Sequence, residues 1–147
     1  MFDTLLKRLT GAPTSDPLAA TDARLAMAAL MVRVARADHD YAPEEVAIID
    51  NLLENKYDLD AAGTAALRTE AEALELEAPD TVRFTRLIKD AIPYEDRNAV
   101  VENLWRIVLA DDVRDDQENG FLHLVSHLLG VTDRDSAIAR QKAAKTI

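Results

Sequence analysis

The sequence predicts an all-α fold, a compact bundle of about seven helices, on three observations. Apolar residues recur at helical spacing in one segment after another, and no window alternates cleanly enough to argue for a strand. Only four glycines and five prolines occur among 147 residues, while alanine and leucine are plentiful. Pro43, Pro79 and Pro93 stand where helices are about to begin. The length suits one domain able to bury a sizeable core.

In chain order, Phe2 to Leu9 forms one or two amphipathic turns, and GAPTSDP follows as a linker. Residues 1–20 therefore read as an N-terminal amphipathic segment and linker, and 21–147 as a single helical domain. Leu25, Ala28, Leu30, Met31 and Val34 mark the first long helix, which should end near Asp38. Pro43 takes the first position of the next, where its missing N–H is no loss, and Ile48, Ile49, Leu52 and Leu53 line one face. A third helix starts near Asp60 and carries Leu67, Ala71 and Leu74; its acidic end, EALELEAPD, calls for a solvated outer face. Pro79 and Asp80 open a helix with Phe84, Leu87 and Ile88. Pro93 starts another, running through Val100, Val101, Leu104, Trp105 and Val108 to Asp111. The next spans about Asp116 to Leu129, with Gly130 placed to end it in a left-handed cap. Thr132 with Asp135 resembles a capping box for a last helix that frays into QKAAKTI.

Charge narrows the function. Seventeen Lys and Arg stand against 27 Asp and Glu, a net charge of -10. Such a surface repels phosphate backbones, so no nucleic acid partner is expected, and it attracts cations and basic protein surfaces instead. There is no cysteine, which excludes disulfides, thiolate metal sites and thiol redox chemistry. The N-terminal stretch lacks the long apolar core of a signal peptide, and no run approaches the roughly 20 apolar residues that cross a bilayer. A soluble cytoplasmic protein without direct membrane insertion is the expectation.

The chain also repeats itself. RLAMAALMVRVARADHDYAPEEVAII from Arg24 and RNAVVENLWRIVLADDVRDDQENGFL from Arg97 match without gaps. Arg24 pairs with Arg97, Arg33 with Arg106, Ala37 with Ala110, Asp38 with Asp111 and Glu45 with Glu118, and apolar positions coincide as well. After a one-residue slip Leu59 aligns with Val131. Two helix–acidic corner–helix units related by a pseudo-twofold fit this pattern best.

The recurring pattern of Ala-Asp followed by acidic residues, ADHDYAPEE and later ADDVRDDQE, resembles the TerB-like tellurite-resistance family. LWRIVLADDVRDDQENGFLHLVSHLLGV looks like that family's C-terminal half, and the likeness covers about residues 20 to 132. The resemblance implies a helical, non-catalytic protein whose acidic cluster binds divalent cations. It also implies partners in membrane-associated stress or phage-defence assemblies, which would place the chain at the periphery of the inner membrane. The sequence departs from the family where Gly usually follows the Asp: His39 and Asp112 stand there instead. Both residue types tolerate a left-handed conformation better than most.

The acidic corners are not EF-hands, because Ala42 and Pro43 replace the fifth ligand and the required Gly, and Ile49 and Leu122 replace the final Glu. Capping accounts for the glutamates: Glu118 is N3 to an Asp115 cap, and Glu45 takes the equivalent place after Ala42. Asp38 and Asp111 stand at helix C-termini, where the dipole disfavours a carboxylate. Hydrogen bonds from their own turns, with help from Arg33, Arg36 and Arg106, offer one compensation. The other is a hard-cation site for Ca²⁺ or Mg²⁺ built from Asp38, Asp40, Glu45, Asp111, Asp112, Asp115 and Glu118.

His123 and His127 share one helix face at a spacing that zinc sites use, but no HExxH is present and a surface pair is the simpler reading. Trp105 reads as core. No phosphate loop, nucleophile elbow, isolated carboxylate pair or His-Pro-Asp is found. The expectation is a non-enzymatic stress-response adaptor. A metal-free interaction module comes second, and a metal-dependent hydrolase third.

Overall fold

A helix that is apolar on every side has no face to offer water and belongs inside a protein. Ala20–Ala35 (α1) is such a helix, with every residue from Leu25 to Val32 buried, and Val34 and Ala35 after them. The computed structural model describes residues 5–7, 20–37, 41–78, 81–109 and 116–145. Around α1 pack Pro43–Tyr57 (α2), Ala61–Glu77 (α3), Thr81–Ala91 (α4), Arg97–Leu109 (α5) and Asp116–Leu128 (α6). Asp133–Lys145 (α7) lies chiefly along α5. Among the described residues these helices, one 3₁₀ turn and the helical residues 5–7 are the only regular elements, with no strand. The fold is the expected all-α bundle. Leu5 is fully buried in its core.

Helix ends follow from local chemistry. The Asp60 side chain accepts from the Gly63 N–H at 2.7 Å and caps α3, and the Thr132 hydroxyl accepts from the Asp135 N–H at 3.1 Å to cap α7. At the end of α2, Asp58 takes a left-handed conformation and the Leu59 N–H reaches back to the Glu54 carbonyl. At the end of α6, Gly130 does the same (φ 80°) and the Val131 N–H reaches the Ser126 carbonyl. These are matching Schellman-type ends, in the register that aligned Leu59 with Val131. The starts of α2 and α6 likewise keep the register that pairs Arg24 with Arg97.

One boundary differs from expectation. Pro93 has extended backbone (φ −55°, ψ 147°) and Tyr94–Asp96 forms a 3₁₀ turn, so α5 begins only at Arg97. A tighter first turn is a common way into an α-helix, and it places the proline ahead of the ladder. The expected opening of α4 at Pro79 and Asp80 lies outside the described residues.

Trp105 is core, as expected, at 6% exposure. Its indole N–H donates to the Ser136 hydroxyl at 3.1 Å, and the Ser126 hydroxyl, 3.4 Å from that of Ser136, donates to the Leu122 carbonyl at 2.8 Å. Its one polar atom is thus satisfied where α5, α6 and α7 meet.

Gly130→Ala should cost about 1–2 kcal/mol, because a Cβ at positive φ is strained and the Lys89 side chain lies over that position at 3.4 Å. Urea denaturation of the two proteins gives the difference directly.

Candidate functional site at the first acidic corner

The first turn of a helix carries unpaired N–H groups, and alanine has no side chain to cap them. Ala42 precedes α2 and offers no side-chain cap, but Glu45 makes the returning half of a capping box: its Oε1 accepts from the Ala42 N–H at 3.3 Å. Pro43, at the first helical position, removes another donor, as expected. Glu45 is fully buried beneath the corner. A carboxylate taken wholly out of water requires hydrogen bonds or opposite charge around it. The helix dipole adds to what the cap contributes.

Beside this corner runs a chain of ion pairs that crosses three helices. Arg33, near the end of α1, donates from Nε to Glu75 at 3.3 Å and from one terminal nitrogen to the Thr81 hydroxyl at 3.0 Å. Its other terminal nitrogen donates to the carbonyls of Glu75 and Ala78, and its guanidinium lies over the Phe84 ring. One side chain therefore caps the end of α3 and holds the start of α4. Arg36 reaches the second oxygen of Glu75 at 2.9 Å and stacks on the ring of Tyr41. The Tyr41 hydroxyl donates to Glu72 at 2.8 Å, Arg68 donates to Glu72 at 3.2 Å, and Arg68 also donates to Asp50 of α2 at 2.6 Å. Burial pulls the Arg68 pKa down, but hydrogen bonding and attraction from Asp50, then Glu72, outweigh it, and the net shift is upward.

The outer face of the acidic end of α3 is solvated at Leu76 and Glu77, whereas Glu75 turns inward, its side chain 12% exposed between two arginines. Glu72 and Glu75 lie three residues apart, as do Arg33 and Arg36, so facing rows were present in the sequence. Nothing there paired the rows, because that depends on α1 packing along α3. Arg33 and Arg36, which the sequence offers as help for Asp38, thus share Glu75. Arg106, offered likewise for Asp111, pairs with Glu102 at 3.0 Å and with the Asn103 carbonyl oxygen at 3.0 Å on its own helix.

Of the carboxylates proposed for a cation, Glu45 alone has a described side chain. Asp38, Asp40, Asp111, Asp112 and Asp115 lie outside the described residues, as does the side chain of Glu118. Among the described residues no three His, Asp or Glu side chains are grouped to hold a metal. His123 and His127 are exposed on α6, and His123 lies 3.6 Å from the equally exposed Asp133. That arrangement fits a surface pair.

The sequence model for the tellurite resistance protein TerB matches residues 24–141, most of the chain. The chain belongs to the TerB family. No curated protein and no solved structure matches it. The TerB match begins at Arg24 and ends within α7, so the family's sequence pattern spans all seven helices and runs past the position near 132 where the visible likeness stops. No described helix is long and apolar enough to cross a membrane.

Glu75→Ala should destabilise the protein by about 2–3 kcal/mol, since it strands two largely buried guanidinium groups. Arg33→Lys should recover little of an Arg33→Ala loss, because an ammonium cannot hold Glu75, Thr81 and the two carbonyls together. Thermal unfolding of the three variants tests both statements.

Burial, aided by Glu72, raises the Tyr41 phenol well above its usual range, and burial pushes the Tyr57 phenol up to about 12 against the opposing charge of Arg24. A raised folded-state pKa contributes stability that is complete below the unfolded value near 10 and is lost as pH climbs through the folded value. Stability should therefore fall between about pH 10 and 12, and Tyr57→Phe should flatten that fall. Urea midpoints measured across this range check the sign.

Proposed function

We propose that this TerB-family protein is a non-catalytic, cytoplasmic adaptor of the tellurite-resistance type whose acidic corners take up a divalent cation, Ca²⁺ or Mg²⁺. The observation that carries the reading is the commitment of nearby positive charge. Arg33 and Arg36, the arginines closest before Asp38 in the sequence, are shared by Glu75 and so already serve another carboxylate. A hard cation with oxygen ligands supplies the remaining charge, with Asp38, Asp40 and Glu45 at one corner and Asp111, Asp112, Asp115 and Glu118 at the other. Glu45 is buried in the first turn of α2, where its Oε1 accepts from the Ala42 N–H. The adaptor role is proposed by likeness to the family, with protein partners in membrane-associated stress complexes and a cation that sets the shape of the corners. A metal-free interaction module is the second reading, favoured by Leu76 and Tyr94, which are 73% and 72% exposed.

Calorimetric titration with Ca²⁺, Mg²⁺ and Zn²⁺ separates the readings. Heat with Ca²⁺ or Mg²⁺ that vanishes in the double variant Asp38→Asn with Asp111→Asn supports the corner sites. Absence of binding at millimolar concentrations of all three leaves the interaction module. Zinc-dependent turnover of a phosphoester or peptide, lost in His123→Ala, would overturn the non-catalytic assignment.

A further inference from the structure

The face of α2 that turns away from the corner carries Ile48, Asn51, Leu52, Asn55 and Lys56, and with Asn103 and Arg106 of α5 it lines a groove of about 400 Å³. Ile48 and Leu52 are its apolar floor. No Asp or Glu is among its described lining residues, although the chain carries 27 of them. Asn55 donates to the Asn51 side-chain oxygen at 3.0 Å, and Arg106 donates to the Asn103 side-chain oxygen at 3.0 Å. The carboxamide N–H groups of Asn51 and Asn103, and the second one of Asn55, are further donors. Lys56 adds an exposed ammonium, and Arg106 also donates to Glu102. The helix dipole accounts for cations in the last turns of α2 and α5, but not for three carboxamides beside them.

We propose that this groove binds a small organic oxyanion, its carboxylate or phosphate oxygens on the amide and cationic donors and its apolar body on Ile48 and Leu52. A volume of this size accepts a small molecule, and a donor-rich concavity on an acidic protein selects against cations. Glu102, which shares Arg106, keeps affinity modest and makes Lys56 the more responsive of the two charges.

Amide-resolved NMR of the full chain, titrated with phenylbutyrate, phenyl phosphate and phenethylamine in separate series, tests this. Saturable shifts of the side-chain amides of Asn51, Asn55 and Asn103, with either anion but not the amine, are expected at about millimolar concentration. The stronger of the two anions identifies the headgroup. Lys56→Gln and Asn51→Asp, both at exposed positions, should each weaken binding by about tenfold while the remaining spectrum is unchanged. Shifts that stay linear or scatter over the surface, equal shifts with the amine, or unaltered affinity in both variants would overturn the proposal. Cation binding at the corners is read separately, so either idea can fail alone.

Discussion

Burial of α1 on all sides is the constraint on which the rest of this structure depends. Its alanines leave room for neighbouring helices to approach closely, and its leucines, methionines and valines are buried among them. A helix surrounded in this way dictates where α2 to α6 lie, since each turns apolar residues toward it, while α7 packs chiefly on α5. It also forbids charge along most of its length. Charge returns at its two ends, with Asp22 and Arg24 near the start and Arg33, partly buried, near the finish.

The charge of Arg33 organises one end of the bundle. It is met by Glu75, by the last carbonyls of α3 and by the hydroxyl that begins α4, so a single side chain closes the junction between two helices. Arg36, Tyr41, Glu72, Arg68 and Asp50 extend the same chain of partners across to α2. Within that chain three arginines face three carboxylates, so its charges balance among themselves.

The second unit reuses the same parts to a different end. Its Arg106 matches Arg33 in sequence, yet it is held by Glu102 and Asn103 of its own helix. Beside α2 it forms the rim of a donor-rich groove instead of a clamp on a helix end. Matched sequence positions thus carry different contacts because α1 lies in the middle of the bundle while α5 has α7 along one side.

Much of the fold was legible in the sequence because it rests on local chemistry. Periodicity marks the helices, Pro43 opens α2, Asp60 and Thr132 cap their helices, and Gly130 ends α6 with the positive φ that its lack of a Cβ permits. The TerB likeness also came from short acidic motifs and their recurrence. Pro93 misled because proline fixes only its own φ and does not choose between a 3₁₀ and an α turn after it. For the candidate site, the sequence by itself determined the place of Glu45 at N3 of α2 and little more of its surroundings. Only the tertiary structure decided that Glu75 faces inward, that it shares Arg33 and Arg36, and that amide donors gather between α2 and α5. The physical reason is one of range. Caps and turns are settled within a few residues, whereas ion pairs and grooves depend on which helix lies against which, and that is decided by burial of the whole core at once.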